Sequence, residues 1–359
     1  MNAYDAGRTL DDRDALARID PSGMAALIAG LPAQSRAAWD AGRAWPLPAG
    51  FETPQRVVLL GMGGSAIGAD VAATLAARWG RVPVQVVRGY TPPTVDEHTL
   101  LIACSYSGDT EETLEAFQHG LPQAGMRLAI TTGGRLSRLA TSLDYAVFNF
   151  DFASPPRAAF GWALFPLLAI FERLGVLTLA PGAVDAALAE LSGCADDWGL
   201  DVPEERNAAK QLARRIAGRV PVILGPDLLE VAARRWAGQL SENAKQWALF
   251  AALPEADHNL IVGFPGPDVA REALHVLLLD APTLHPRNRL RVRLTAHALD
   301  EAGVPHDELL IGGTEPLDTL LRACYLADWV SLYAAVLNGA DPYPVRVIDW
   351  LKQALASGS

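Results

Sequence analysis

The chain has 359 residues, half of them hydrophobic and a fifth charged. That excludes a disordered or fibrous protein and suits two domains with room for a third small unit. Thirty Lys and Arg against 41 Asp and Glu leave a net charge of −11, which argues against a nucleic-acid partner. A small anionic ligand is not excluded, because a pocket sets its own local field.

Residues 1–20 are polar and lack the apolar run of a secretory signal. Residues 1–45 are expected to form a helical extension, with Asp20, Pro21 and Ser22 capping the segment that starts at Met24. Pro46, Pro48 and Pro54 mark a linker. From Arg56 on, short apolar runs alternate with helix-length segments. Strands are expected at 56–60, 82–87, 99–104, 127–131 and 144–148, with helices at 66–79 and 111–118. Apolar strands separated by helices indicate a parallel sheet covered on both faces. The longest apolar stretch, 158–171, is too short to span a bilayer and is expected to be a buried helix.

The pattern then restarts. Helices are expected at 207–217, 228–253, 288–302 and 316–338, and strands at 220–224, 260–263, 275–279 and 308–311. Arg56-Val57 leading to Leu60-Gly61 is echoed by Arg219-Val220 leading to Leu224-Gly225. This echo fits two copies of one α/β unit. A tail over 341–359 carries Ile348, Leu351 and Leu355 on one helical face. The expected domains are thus 1–45, 46–200, 201–340 and 341–359. Cys104, Cys194 and Cys324 are scattered and odd in number, so neither a disulfide framework nor a cysteine zinc site is indicated, and a cytoplasmic location is expected.

Two loops carry chemistry. Gly61-Met62-Gly63-Gly64-Ser65-Ala66 joins the first strand to its helix. Alone it is a degenerate dinucleotide fingerprint, but the residue at the end of the second strand is Arg88, which suits only a 2′-phosphate. A tight turn without ligand is the plainer alternative. The second loop, after 99–104, runs Ser105-Tyr106-Ser107-Gly108-Asp109-Thr110. Three hydroxyls at the start of a helix, beside backbone N–H groups, make a phosphate cup that needs no lysine. A simple N-cap at Ser107 or Asp109 accounts for one of these hydroxyls and leaves the other two. Ligands of open parallel sheets sit at this carboxyl edge.

These two loops resemble the sugar-isomerase (SIS) phosphosugar-binding domain, and most closely the bifunctional phosphoglucose/phosphomannose isomerase family. Gly133-Gly134, Pro156-Arg157, Ser241-Glu242-Asn243-Ala244-Lys245, Pro254-Glu255 with His258-Asn259, and Asp341-Pro342 with Pro344-Val345, Ile348 and Lys352 extend the resemblance in order from about residue 50 to 356. It implies an α/β fold of two SIS-type domains, each a parallel sheet flanked by helices, with a helical N-terminal extension and a C-terminal helix. It also implies a homodimer whose active sites are built at domain and subunit boundaries.

The activity implied is interconversion of glucose 6-phosphate or mannose 6-phosphate with fructose 6-phosphate through an enediol. No metal and no cofactor are required. The resemblance places the substrate phosphate on Gly64, Ser65, Ser105, Ser107 and Thr110. Glu242 matches the proton-transfer base, a role in which one carboxylate collects the C2 proton and returns it to C1. By spacing alone, Glu242 equally suits an ion pair with Lys245 on a solvated helix face. His258, placed in a turn before a strand, matches the ring-opening histidine, which in relatives comes from the neighbouring subunit. Lys352 matches a second ring-opening group, and Arg157 the arginine that stabilises the enediolate. The other six of the seven histidines have no metal-ligand spacing. The choice between aldoses is expected near Pro344 and Val345.

One position departs from the family pattern: Leu260 stands after His258-Asn259 where an acidic residue is expected, which bears on how His258 is held. Two other readings stay open at this stage. One is a phosphosugar-binding SIS protein without catalysis. The other is an NADP-dependent oxidoreductase resting on Gly61 to Ala66 and Arg88.

Overall fold

The computed structural model describes residues 9–358. The first eight residues of the expected N-terminal extension lie outside them. The rest forms α1 (Arg13–Ile19), α2 (Met24–Ala29) and α3 (Leu31–Ala44). Asp20 caps α2: its two carboxylate oxygens accept the N–H groups of Met24 and Ala25, each at 2.7 Å.

The chain folds as two compact units, and they divide this extension between them. Among the described residues, the first unit comprises 30–192 with 313–321, and the second comprises 9–29 with 193–312 and 322–358. The physical reason is local packing. The Gln34 amide of α3 donates to Ala158 O at 2.8 Å and accepts from Gly161 N at 2.7 Å, so α3 is bound into the first unit. Asp11 instead accepts from the fully buried ammonium of Lys210 at 2.7 Å, which ties the start of the chain to the second unit.

In the first unit the order is β1 (Arg56–Gly61), α4 (Gly63–Trp79), β2 (Val84–Val87), β3 (Thr99–Cys104), α5 (Glu111–Gly120), β4 (Met126–Thr131), α6 (Gly134–Ser142), β5 (Ala146–Asn149) and α7 (Phe160–Arg173), while α8 (Ala183–Trp198) begins in the first unit and ends in the second. The five strands are all parallel, in the order β2-β1-β3-β4-β5. Val58, Leu60, Leu101 and Ala103 point to the face covered by Leu114 and Phe117 of α5 and Leu136 of α6. Val57, Leu59, Leu100 and Ile102 alternate with them and are as deeply buried. Continuous apolar strands are what a sheet covered on both faces requires. Helix α4 lies so close to α7 that a side chain at Gly68 would run into the backbone of Ala163.

The second unit contains α9 (Ala208–Ile216), β6 (Val220–Pro226), α10 (Leu229–Ala244), β7 (Leu249–Leu253), α11 (Asp268–Ala273), β8 (Leu274–Asp280), α12 (Pro286–Ala302) and β9 (His306–Leu310). Helix α13 (Pro316–Leu337) begins in the first unit and continues in the second, and α14 (Arg346–Ser357) ends the described chain. The sheet is again parallel, in the order β7-β6-β8-β9. That order repeats β2-β1-β3-β4 strand for strand, and the two Arg-Val openings fall on the equivalent strands β1 and β6.

Two expected elements differ. The helix expected over 228–253 ends at Ala244, where Lys245 takes a left-handed conformation (φ 53°) and closes the last turn with its N–H on Leu240 O. Residues 249–253 then pair in parallel with β6. The strand expected at 260–263 is a 3₁₀ turn, so His258 precedes a turn and not a strand. Helix α13 is long and apolar enough to cross a membrane, but 94% of its most apolar window is buried inside the protein, which makes it a core helix.

Candidate functional site

The hydroxyl loop after β3 is held from three sides. Ser105 Oγ lies 2.9 Å from Thr110 Oγ1 and accepts the Gly108 N–H at 3.1 Å. Ser65, in the first turn of α4, accepts the Tyr106 N–H at 2.9 Å. Ser107 accepts the Asp109 N–H at 3.2 Å, and its side chain is exposed. Gly108 has φ +70°, and a side chain there would meet Gly133 O, so the 105–110 loop interlocks with the Gly133-Gly134 turn. Thr132 N donates to Tyr106 O at 3.1 Å across the same junction. Ser65, Ser105, Ser107 and Thr110 therefore share one edge of the sheet, at the N-termini of α4 and α5, where helix dipoles favour an anion.

The Arg157 loop meets that edge through Gly64. A Cβ on Gly64 would lie 2.7 Å from both Arg157 N and Pro156 C. Only glycine permits this approach. Arg157 sits in a 3₁₀ turn after Pro155 and is buried. Tyr106 braces the same segment, with its hydroxyl donating to Phe152 O and accepting from Ser154 N at 3.0 Å. A cavity of about 20 Å³, room for a single water, is lined by Ser65, Ser105, Tyr106, Pro156 and Trp162 among others. The Trp162 indole N–H is buried there without a partner among the described residues. Tyr106 and Trp162 were not singled out from the sequence. The position of Tyr106 between two cup serines was the available signal.

In the second unit Glu242 sits on the last turn of α10. That helix is fastened to α13 by polar rungs one turn apart. Arg235 reaches both oxygens of Asp328 at 2.8 Å, Gln239 donates to Asp328 at 2.6 Å, and Asn243 donates to Ser331 at 2.9 Å. The rungs at 235, 239 and 243 lie on one face and leave Glu242 on a rigid support. The Lys245 ammonium donates to the backbone carbonyl of Glu242. Glu242 borders a cleft of about 690 Å³ together with Lys245, Trp247, Asp341, Val345 and Arg346. That size lies in the range of small-ligand sites. Pro344 and Val345, where the aldose preference is expected, line this same cleft.

His258 is exposed at the end of a 3₁₀ turn that follows β7. Lys352 is exposed on α14, beyond the Arg346, Val347 and Ile348 segment that lines the cleft. The structure thus brings Gly64, Ser65, Ser105, Ser107, Thr110 and Arg157 together at one sheet edge. It sets Glu242 beside the start of α14, and it places His258 and Lys352 on separate exposed elements of the second unit.

The dinucleotide reading fits poorly. Arg88, its one candidate for a 2′-phosphate, is paired with Asp70 of α4, with Nη1 to Oδ1 at 3.0 Å. The close approach a pyrophosphate needs at the α4 N-terminus is taken by Pro156 and Arg157.

Two equivalent parallel sheets, one with a hydroxyl-lined loop at its carboxyl edge, define a tandem SIS-type protein. Residues 205–355 match the bacterial phospho-glucose isomerase C-terminal SIS domain. The chain is 36% identical to a bifunctional phosphoglucose/phosphomannose isomerase of Caldicellulosiruptor bescii, over 91% of this chain and 97% of that protein. It is 34% identical to the protein of that name from Aquifex aeolicus, over 84% and 91%. The C-terminal domain of glucosamine-fructose-6-phosphate aminotransferase from Francisella tularensis superposes with a TM-score of 0.69 at 16% identity, covering 89% of this chain and 98% of that one, a likeness of fold. The chain belongs to the bifunctional phosphoglucose/phosphomannose isomerase family.

Proposed function

We propose that the protein isomerises glucose 6-phosphate and mannose 6-phosphate to fructose 6-phosphate and back. The observation that carries this reading is the preformed hydroxyl and N–H cup at the edge of the first sheet, in a chain of this family. The cup made by Gly64, Ser65, Ser105, Ser107 and Thr110 takes the phosphate. His258 and Lys352 move the protons that open the sugar ring, work that suits an imidazole near neutral pH. Glu242 then takes the proton from C2 and returns it to C1. Arg157, charged and held in a stiff loop, stabilises the enediolate oxygen. Glucose and mannose 6-phosphate differ only at C2 and give the same enediol, so one base serves both.

The test is a coupled assay on each aldose phosphate in the presence of EDTA, with Glu242→Gln beside the wild type. We expect turnover of both substrates, and a fall of roughly 10²–10⁴-fold in the variant with sugar-phosphate binding retained. Failure to turn over either aldose would favour a phosphosugar-binding protein without catalysis.

We also propose a homodimer. Trp247, Leu249 and Phe250 at the edge strand β7, and Val347, Trp350, Leu351 and Leu355 of α14, are large apolar side chains left exposed. Such a concentration fits burial by a second copy, and sedimentation equilibrium at twice the chain mass is the expected result. A cytoplasmic location accords with Cys104, Cys194 and Cys324 being buried and outside any disulfide.

A further inference from the structure

The turn that carries His258 is anchored by a residue outside the proposed chemistry. Residues 255–258 form one 3₁₀ turn directly after β7. Ala256 points inward and packs in the core with Val292, Ala296 and Leu299 of α12. Asp257 turns to the same helix. Its Oδ2 accepts from Arg291 Nη1 at 3.0 Å and its Oδ1 from Thr295 Oγ1 at 2.9 Å. The Asp257 side chain is only 10% exposed, and Thr295 is 2% exposed. Arg291 and Thr295 are four residues apart, so they share the face of α12 that also carries Val292 and Ala296. With Ala256 plugged in and Asp257 clamped, the next residue is turned outward, and that residue is His258. Asn259 closes the turn, donating to Glu255 Oε1 at 2.9 Å and accepting the Leu260 N–H at 2.6 Å. Leu260 is itself exposed and supplies no carboxylate.

We propose that Asp257, held by Arg291 and Thr295, is the positioning residue that fixes the backbone of His258 for ring opening. In this chain the turn is secured from the α12 side, without the acidic residue expected after His258-Asn259. The proposal rests on the reading of His258 as a ring-opening group. It assigns Asp257 no contact with the sugar. Its effect is on geometry, and a misplacement of a catalytic group by about 1 Å costs on the order of 100-fold in rate.

The test separates ring opening from isomerisation. Fructose 6-phosphate is mostly cyclic. Its 5-deoxy analogue lacks the hydroxyl that closes the furanose ring and enters the site already open. The kcat ratio of the two substrates is measured on the full chain for the wild type, His258→Ala, Asp257→Asn, Thr295→Val and Thr295→Ser. We expect His258→Ala, Asp257→Asn and Thr295→Val to lower kcat on the cyclic substrate relative to the open one by about tenfold or more. KM for the open analogue should stay near the wild-type value, and Thr295→Ser, which keeps the hydroxyl, should restore the ratio. Thr295→Val preserves side-chain shape and carries the test if Asp257→Asn does not fold. If His258→Ala shifts the ratio and Thr295→Val does not, the positioning role is overturned. An equal fall on both substrates in Thr295→Val also overturns it, since that marks a merely structural residue. If His258→Ala leaves the ratio unchanged, the ring-opening role of His258 falls first and Asp257 with it.

Discussion

Strands β3 and β8 hold the same place in their two sheets, yet their carboxyl ends treat negative charge in opposite ways. β3 runs into Ser105 and the loop of hydroxyls and N–H groups proposed above to take the substrate phosphate. β8 ends in Asp280, which is buried and accepts the Ala281 N–H at 2.8 Å and the Arg289 guanidinium through Nε and Nη2, each at 3.0 Å. In the second unit the chain supplies its own carboxylate to the donors at this edge. On the proposed reading, one edge of the repeated fold serves the substrate and the other is closed by an internal ion pair.

Three substitutions break or sharpen that contrast. The largest effect is expected from Gly64→Ala. Its Cβ would press on backbone atoms of Pro156 and Arg157, which cannot swing aside as a side-chain end would. We expect about 1–3 kcal/mol lost in thermal or denaturant unfolding and kcat down by about 100-fold as Arg157 shifts. A variant with wild-type kcat would detach Arg157 from the reaction. Ser105→Ala comes next. It removes the hydroxyl that joins Thr110 and Gly108, and one hydrogen bond to a charged group is worth about 1.5–3 kcal/mol. KM for either aldose phosphate should rise by about tenfold or more, with kcat within a few-fold. An unchanged KM would take Ser105 out of the cup. The smallest effect on catalysis belongs to Asp280→Ala. Stability should fall by about 1–3 kcal/mol because Arg289 and the Ala281 N–H lose their acceptor, while KM stays at the wild-type value. A raised KM would mean that the second edge takes part in substrate binding, and the contrast would fail.

Much of this architecture was legible in the residues. Val57 to Leu60 and Leu100 to Cys104 are apolar runs of strand length with turn residues after them, a pattern that belongs to a sheet covered on both faces. The spacing of Ser105, Ser107 and Thr110 is itself a signal for the hydroxyl-lined loop that the structure shows. The 249–253 segment was not legible. Leu249-Phe250-Ala251-Ala252-Leu253 continues the apolar pattern of α10 and suits a helix or a strand equally. Its pairing with β6 decided the matter. Leu260-Ile261-Val262-Gly263 has strong strand propensity but forms a 3₁₀ turn, because tertiary context overrides β propensity.

By itself the sequence determined the alternation of strands and helices in the first unit, the echo of its opening strand in the second, and the grouping of hydroxyls in the loop after β3. These depend on periodicity and on residue types close together in the chain. Tertiary structure alone decided the division of the N-terminal helices between the units, the approach of Pro156 and Arg157 to Gly64, and the rungs that hold α10 under Glu242. It alone joined Asp257 to α12, 34 residues away from Arg291 in the chain. Those features depend on contacts between residues far apart in sequence, and no local pattern encodes which distant side chain fills the space beside another.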